Sequence, residues 1–246
     1  FSDPFNGGIN VPNVDVFIQG NPELIPEVAK TNVVGAVYRP GWLPGFAISL
    51  DRIDLKLRNA ITSLGGQALL NLCFEGNQQA CNSVIRDGNN NLIRVNNSSF
   101  NLDRLHFISY DVEMSYRQPA LGGNLSIRAY ISYLERLRSE DLNAVPMEDA
   151  GEITTPRWRG LLTASYDRGI FQSFVQARYI GASNLNNQLT ASDVAFNRVG
   201  AAVYLDAQIG ARVTDNMEVS LNVQNLLDRE PPFSPETESS SPVNQN

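Results

Sequence analysis

Cys73 and Cys81 are the residues of this chain whose type and spacing point most directly to chemistry. They are its only cysteines and lie in one polar stretch, close enough in sequence to close a small ring. An oxidising export route favours a disulfide over the alternative of two free thiols. Metal binding needs more ligands, and His106 is the single histidine. We therefore predict a Cys73–Cys81 disulfide, with no metal and no other cofactor.

The acidic pair Asp111 and Glu113 is the nearest approach to a catalytic constellation. Residues two apart on a strand share one face, so these carboxyl groups could in principle act as the two acids of a glycosidase. A Ser-His-Asp triad would have to use His106, and no serine lies in a nucleophile elbow. No phosphate-binding glycine motif precedes a helix. We interpret the pair as charges of a polar surface and predict that the chain is not an enzyme.

Further charged residues extend this polar surface along other predicted strands. The candidates for one hydrated, lumen-facing surface are Asp111, Glu113, Arg128, Arg178, Asp206 and Arg212. For each of them, a structural charge network is the alternative to lining a ligand path. The net charge of −7 offers no basic stripe for phosphates, so we expect no nucleic-acid partner.

The elements that would position these residues are predicted from strict alternation of apolar and polar side chains. The clearest case is 203–225, where two alternating runs flank the turn Thr214-Asp215-Asn216. Runs of about ten residues have the length of a tilted strand that crosses a bilayer. No stretch of eighteen apolar residues exists, which excludes a helical membrane span.

The alternation recurs along the chain and predicts an all-β protein, an antiparallel up-and-down transmembrane β-barrel segment of about eight strands. Short periplasmic turns alternate with long extracellular loops. The expected order within one partial domain, 1–246, is extracellular loop 1–32, hairpin 33–58, long extracellular loop 59–103, hairpin 104–138, loop 139–156, hairpin 157–182, loop 183–200, hairpin 201–226 and truncated loop 227–246. Within 59–103 we expect a short helix over 60–73 and a turn at 89–91 flanked by a small hairpin.

A soluble β-sandwich or lipocalin-like barrel is the main alternative fold. The alternation of short and long connections has no reason to occur in a sandwich. Aromatic residues near strand ends also suit the interfacial girdles of a membrane barrel. These are Tyr38, Trp42, Phe46, Tyr116, Tyr133, Trp158, Tyr166, Phe171 and Tyr179.

Two segments resemble motifs of the TonB-dependent outer-membrane receptors. Residues 20–27 (GNPELIPE), followed by Lys30-Thr31 and by residues 34–36, resemble that family's "GNP-L-PE…T…G" segment. Residues 222–232 (NVQNLLDREPP) resemble its near-terminal "N-NL-D-PP" segment. Residues 110–113 and 122–125 match less specific sequence features of the family. Such receptors close with roughly 22 strands around a plug, so the resemblance implies a C-terminal barrel portion, incomplete at both ends.

The resemblance implies energy-coupled uptake of a scarce solute across the bacterial outer membrane. A siderophore, cobalamin, haem or an oligosaccharide would be caught by the extracellular loops. The implied partners are outer-membrane lipid, the plug domain of the same parent chain, and a TonB-type energy-transducing protein that acts through the missing N-terminal part. A passive porin-like or adhesin-like barrel and a soluble β-barrel that binds a small ligand are the rival hypotheses.

Overall fold

The computed structural model describes residues 1–140, 146–190, 192–194 and 196–233. Its strands are β1 (Ser2–Asp3), β2 (Ile9–Asn10), β3 (Asp15–Gln19), β4 (Val28–Tyr38), β5 (Phe46–Ser63), β6 (Val84–Arg86), β7 (Leu92–Ala120), β8 (Gly123–Glu140), β9 (Pro146–Glu148), β10 (Trp158–Arg168), β11 (Phe171–Ile180), β12 (Ser183–Asn184), β13 (Arg198–Val199), β14 (Ala202–Thr214) and β15 (Met217–Val223). The helices are a 3₁₀ turn (Pro4–Asn6), α1 (Gly66–Phe74) and α2 (Gln78–Cys81). The prediction of an all-β protein is confirmed. Across the described ranges, no helix is long and apolar enough to cross a membrane.

Most strands belong to one sheet in which strands that follow each other in sequence are neighbours. Its main path over the described residues is β15-β14-β11-β10-β8-β7-β5-β4, while β3 and β6 pair with β7 and β9 pairs with β8. Within the part of the chain that the structure describes, β4 and β15 end this path and are not paired with each other. Parts of three predicted loops lie outside the described residues: 141–145, 191 and 195, and 234–246.

Short turns and long connections alternate along this path. The turn between β7 and β8 consists of Leu121 and Gly122, both at positive φ (49° and 77°), as the twist of a tight hairpin requires. The turn before β5 needs glycine at position 45, where φ is +82° and an added Cβ would collide with the carbonyl oxygen of Arg117. The Arg117 amide donates to the Gly45 carbonyl at 3.0 Å, so this turn is held against β7.

The chain divides into two compact units. Unit 1 comprises Phe1–Lys30, Lys56–His106 and Arg138–Met147. Its core is built around α1, whose apolar residues at helical spacing are buried with residues of α2 and β7. The core residues are Leu69, Leu70, Leu72, Cys73, Ala80, Leu92, Val95 and Phe100. The short helix predicted over 60–73 therefore forms, but it begins at Gly66, because β5 continues to Ser63.

The start of β7 lies between two short strands in unit 1. β6 pairs with it in antiparallel fashion, with Val84 opposite Val95, and β3 pairs with it in parallel, with Val16 opposite Val95. These strands occupy ranges that the sequence predicts as parts of loops 1–32 and 59–103. The polar run 96–99 hides the alternation there, although Leu92, Val95 and Phe100 are buried in the core. Pairing on both edges satisfies the backbone of β7. The small hairpin predicted around 89–91 is present as β6 and β7.

Two cross-links hold the connection between β5 and β7. Cys73 and Cys81 form a disulfide with an S–S distance of 2.09 Å, which joins α1 to α2. The Arg86 guanidinium donates to both carboxylate oxygens of Asp3 at 2.7 and 2.8 Å. The Asp3 side chain is fully buried, and its hydrogen bond from Arg86 lowers its pKa in spite of that burial. Arg86 also lies 4.5 Å from the ring centroid of Phe5, so it connects β6 to the first residues of the chain.

Loss of the disulfide is expected to loosen unit 1. Replacing Cys73 and Cys81 together by serine should lower its stability by about 2–3 kcal/mol, since the unfolded segment gains the freedom that the ring denies it. Limited trypsin digestion should then cut faster after Arg86 and Arg94. Reductant should accelerate cleavage of the wild-type protein and leave the double-serine variant unchanged. Equal cleavage rates with and without the disulfide would show that the hydrophobic core alone protects unit 1 from trypsin.

Unit 2 comprises Thr31–Leu55, Phe107–Leu137 and Glu148–Asn246. Strands β8, β10, β11, β14 and β15 are in a register that gives this part of the sheet one apolar and one polar face. One cross-strand row of the apolar face reads Ile127, Ala164, Val175, Ala207, Val223. This face is not a core, because Ile209 keeps 63% and Leu221 67% of its surface exposed. It therefore needs an apolar environment outside the described chain.

Candidate solute-binding surface

The structure places all six charged candidates on the polar face of unit 2. Arg128 and Asp206 lie in one cross-strand row, because Arg128 opposes Thr163, Thr163 opposes Gln176, and Gln176 opposes Asp206. Arg178 lies in the neighbouring row and opposes both Leu161 and Tyr204. Arg212 opposes Glu218 near the β14–β15 turn. The Tyr130 hydroxyl donates to Asp111 at 3.0 Å, which joins Asp111 to the Arg178 row, and Glu113 follows Asp111 by alternation. Arg178 and Asp206 line the same recess.

That recess, the polar recess, lies where β11 and β14 meet the segment after β15. It has a volume of about 590 Å³ and is lined by Arg178, Tyr204, Asp206, Gln224, Asn225, Arg229 and Pro231. Arg178 lies over the Tyr204 ring, 5.3 Å from its centroid. Asp206 accepts a hydrogen bond from the backbone N–H of Asn225 at 2.9 Å. The polar recess thus combines two guanidinium groups with one carboxylate that already accepts a hydrogen bond.

The Asn225 side chain shapes the wall that carries Arg229. Asn225 has a left-handed backbone (φ +51°), and its carboxamide exchanges two hydrogen bonds with the backbone of Arg229, at 2.9 and 3.2 Å. Asparagine tolerates this conformation better than most residues, so the turn after β15 suits its sequence. The turn brings Arg229 beside Arg178, which lies two strands away.

A second recess, the apolar recess, lies beside the polar one on β8, β10 and β11. It has a volume of about 550 Å³ and is lined by Tyr130, Ile153, Thr154, Pro156, Arg159, Gly160, Leu161, Arg178, Tyr179 and Ile180. Arg159 donates to the Thr154 carbonyl at 2.9 Å. Arg178 lines both recesses, so a single guanidinium separates an apolar space from a polar one.

The connections before β10 and after β11 are joined by an asparagine. The Asn187 carboxamide donates to the carbonyl oxygens of Glu148 and Ala150 at 2.6 and 3.1 Å, and its backbone N–H donates to Glu152 at 2.8 Å. Burial, followed by the neighbouring Glu148 carboxylate, raises the pKa of Asp149. These contacts order the part of the long connections that borders the apolar recess.

Sequence reasoning did not select Tyr204, Asn225 or Arg229 as site residues. Tyr204 shares the parity of Asp206, which was the available signal, but tyrosine does not stand out at one end of an alternating run. Arg229 depends on a turn whose direction the alternation does not encode. Among the described residues, no group of three or more His, Cys, Asp or Glu side chains could hold a metal ion.

A comparison with known protein families shows to which family this chain belongs. The family model described as "TonB dependent receptor-like, beta-barrel" matches residues 1–226.

The chain belongs to the TonB-dependent receptor β-barrel family.

Solved structures of TonB-dependent receptors share the fold of this barrel chain. The siderophore receptor PirA of Acinetobacter baumannii superposes with a TM-score of 0.58 at 13% identity over 86% of this chain and 29% of its own. The ferric enterobactin receptor PfeA of Pseudomonas aeruginosa, as its Q482A mutant in complex with enterobactin, gives 0.58 at 15% over 86% and 28%. The outer membrane transporter YddB of Escherichia coli gives 0.60 at 9% over 94% and 32%.

This TonB-dependent receptor chain spans less than a third of each of those three structures. No curated protein sequence matches it. Members of the TonB-dependent receptor family are transporters rather than enzymes, and the homologous barrels are outer-membrane proteins of Gram-negative bacteria.

Proposed function

We propose that this chain is a C-terminal portion of the barrel of an outer-membrane receptor that imports a scarce solute with energy supplied through TonB. The observation that carries the proposal is the two-faced sheet of unit 2. Its exposed apolar rows suit lipid acyl chains, and its opposite face, with Arg128, Arg178 and Asp206, suits a hydrated lumen. Family membership supports transport, and the named activities of PirA and PfeA favour a ferric siderophore over cobalamin, haem or an oligosaccharide.

The orientation in the membrane follows from the lengths of the connections. Bacterial outer-membrane barrels have short periplasmic turns and long extracellular loops. By that rule, the turns near positions 45, 121 and 169 are periplasmic, and the connections that contain α1, Asn187 and the start of the chain are extracellular. The connection that contains the Cys73–Cys81 disulfide would then be extracellular, where a disulfide is suitable. The plug and the TonB-contacting segment would be supplied by other parts of the parent protein.

Uptake of an iron-loaded siderophore in cells tests this function. A strain that expresses the parent protein should accumulate radioactive iron from at least one siderophore, and a deletion strain should not. Removal of TonB or addition of a protonophore should abolish the accumulation, while binding to the cell surface at 0 °C should persist. Uptake that continues without TonB would instead support a passive porin. Failure of every siderophore, with TonB-dependent uptake of cobalamin, haem or an oligosaccharide, would change the solute class.

A further inference from the structure

Tyr204 lines the polar recess and carries a buried hydroxyl group without a hydrogen-bond partner among the described residues. The Tyr204 side chain keeps only 9% of its surface exposed, and within the described ranges its hydroxyl has no hydrogen-bond partner. A buried hydroxyl without a partner is costly, so native structures rarely retain one unless something binds there. Tyr204 lines the polar recess directly opposite Arg178 in the β11–β14 register.

The charges around this hydroxyl favour an anion. Across the part of the chain that the structure describes, neither Arg178 nor Arg229 forms a salt bridge with a carboxylate. Arg178 lies against the Tyr204 ring. Among the described residues that line the recess, Asp206 is the one acidic side chain, and it accepts a hydrogen bond from the Asn225 N–H. Two guanidinium groups against one carboxylate leave one positive charge in excess.

The neighbouring apolar recess limits what kind of anion would fit. Tyr130, Leu161 and Ile180 offer apolar surface on the other side of Arg178. A small inorganic anion would leave this surface uncovered. An organic anion could place its apolar or aromatic part against Leu161 and its charged group between Arg178 and Arg229, because guanidinium groups bind carboxylates in a planar, two-pronged manner.

We propose that Arg178, Tyr204 and Arg229 form a subsite for the anionic group of an organic solute, whose apolar part occupies the recess lined by Tyr130 and Leu161. The Tyr204 hydroxyl donates to the anionic oxygen, and the two guanidinium groups balance its charge. This deepens the proposed function and rests on it, since it assumes that the polar face of the barrel meets the solute.

Binding of benzoate and its neutral counterpart benzamide to the purified parent protein in detergent tests the subsite directly. Isothermal titration or ligand-detected NMR should show benzoate bound at least about tenfold more tightly than benzamide, since hydrogen bonds to a charged group are stronger than those to a neutral amide. Tyr204→Phe, which removes one oxygen and keeps the ring, should weaken benzoate binding about tenfold and leave benzamide binding within about twofold. Arg229→Gln should abolish the preference for benzoate.

The matched control is Arg168→Gln, which removes an exposed arginine at the turn end of β10, outside both recesses. It should preserve the preference, and each variant should retain the wild-type resistance to unfolding in SDS at room temperature. Equal binding of the two probes, no binding of benzoate, or an unchanged Tyr204→Phe variant would overturn the subsite. Because none of these measurements needs TonB, a protein that binds benzoate as expected but imports nothing would contradict the transport proposal alone.

Discussion

Asp3→Ala is expected to lower the stability of unit 1 by about 3 kcal/mol, because it leaves the Arg86 guanidinium without its carboxylate in a buried position. We take the lower end of the range for broken buried ion pairs because the Arg86 side chain keeps 14% of its surface exposed. Urea unfolding of the parent protein measures this local stability. The signal is the accessibility of the Cys73–Cys81 disulfide to reductant, detected with a thiol reagent.

The pH dependence of the same variant gives a second reading. Arg86 lowers the pKa of folded Asp3 below its ordinary value. The ion pair therefore contributes fully above the unfolded pKa of about 3.9, and its contribution is lost as the pH falls through the lower folded pKa. The gap between wild type and Asp3→Ala should shrink on acidification below about pH 4. Asp15→Ala, which removes an exposed carboxylate from β3, should change stability by less than about 0.5 kcal/mol at any pH. An equal loss of stability in Asp3→Ala and Asp15→Ala would contradict a specific contribution of the Asp3–Arg86 ion pair.

Ile209→Lys is expected to make the free energy of folding of the barrel into a bilayer less favourable by about 2–4 kcal/mol. Ile209 lies on the apolar face in the middle of β14, between Ser173 and Leu221, so lysine there would meet acyl chains. The adjacent Gln208 lies on the polar face between Phe174 and Asn222 and provides the control. Folding of the parent protein into phospholipid vesicles, measured by protection from protease, should fail or slow for Ile209→Lys and remain unaffected for Gln208→Lys.

The reverse ranking of these two variants would contradict the orientation. If Gln208→Lys were the damaging change, the polar face would be packed and the apolar face would meet water or protein. Equal tolerance of both changes would favour a soluble barrel. The two residues are neighbours in sequence and share one strand, so the comparison isolates the direction in which the side chain points.

The two-residue alternation predicted these strands well, because all side chains on one face of β8, β10, β11, β14 and β15 share the same environment. It failed in 92–103, where the polar run 96–99 interrupts the alternation and β3 and β6 pair with the strand. The helix over α1 could be predicted because its leucines recur at helical spacing. The Asp3–Arg86 pair could not be predicted, since 83 residues separate its members and no local pattern connects them.

The candidate site divides in the same way. Arg178 and Asp206 could be selected from parity alone, but their grouping into one recess depends on the register between β11 and β14. The participation of Arg229 depends on the left-handed turn at Asn225. Alternation specifies the face of a residue, whereas the partners of that residue are specified by tertiary structure.

The parity of the rows in unit 2 also restricts how this sequence can change during evolution. A single inserted residue within β10, β11 or β14 would exchange the two faces of that strand beyond the insertion, turning polar-face residues to the apolar face and apolar residues to the polar face. An insertion in the connections around Asn187 or Asn225 would leave every row intact. Length changes are therefore tolerated mainly in the segments that border the two recesses. Under the proposed function, changes of loop length would alter the solute preference while the rows of the sheet stay the same.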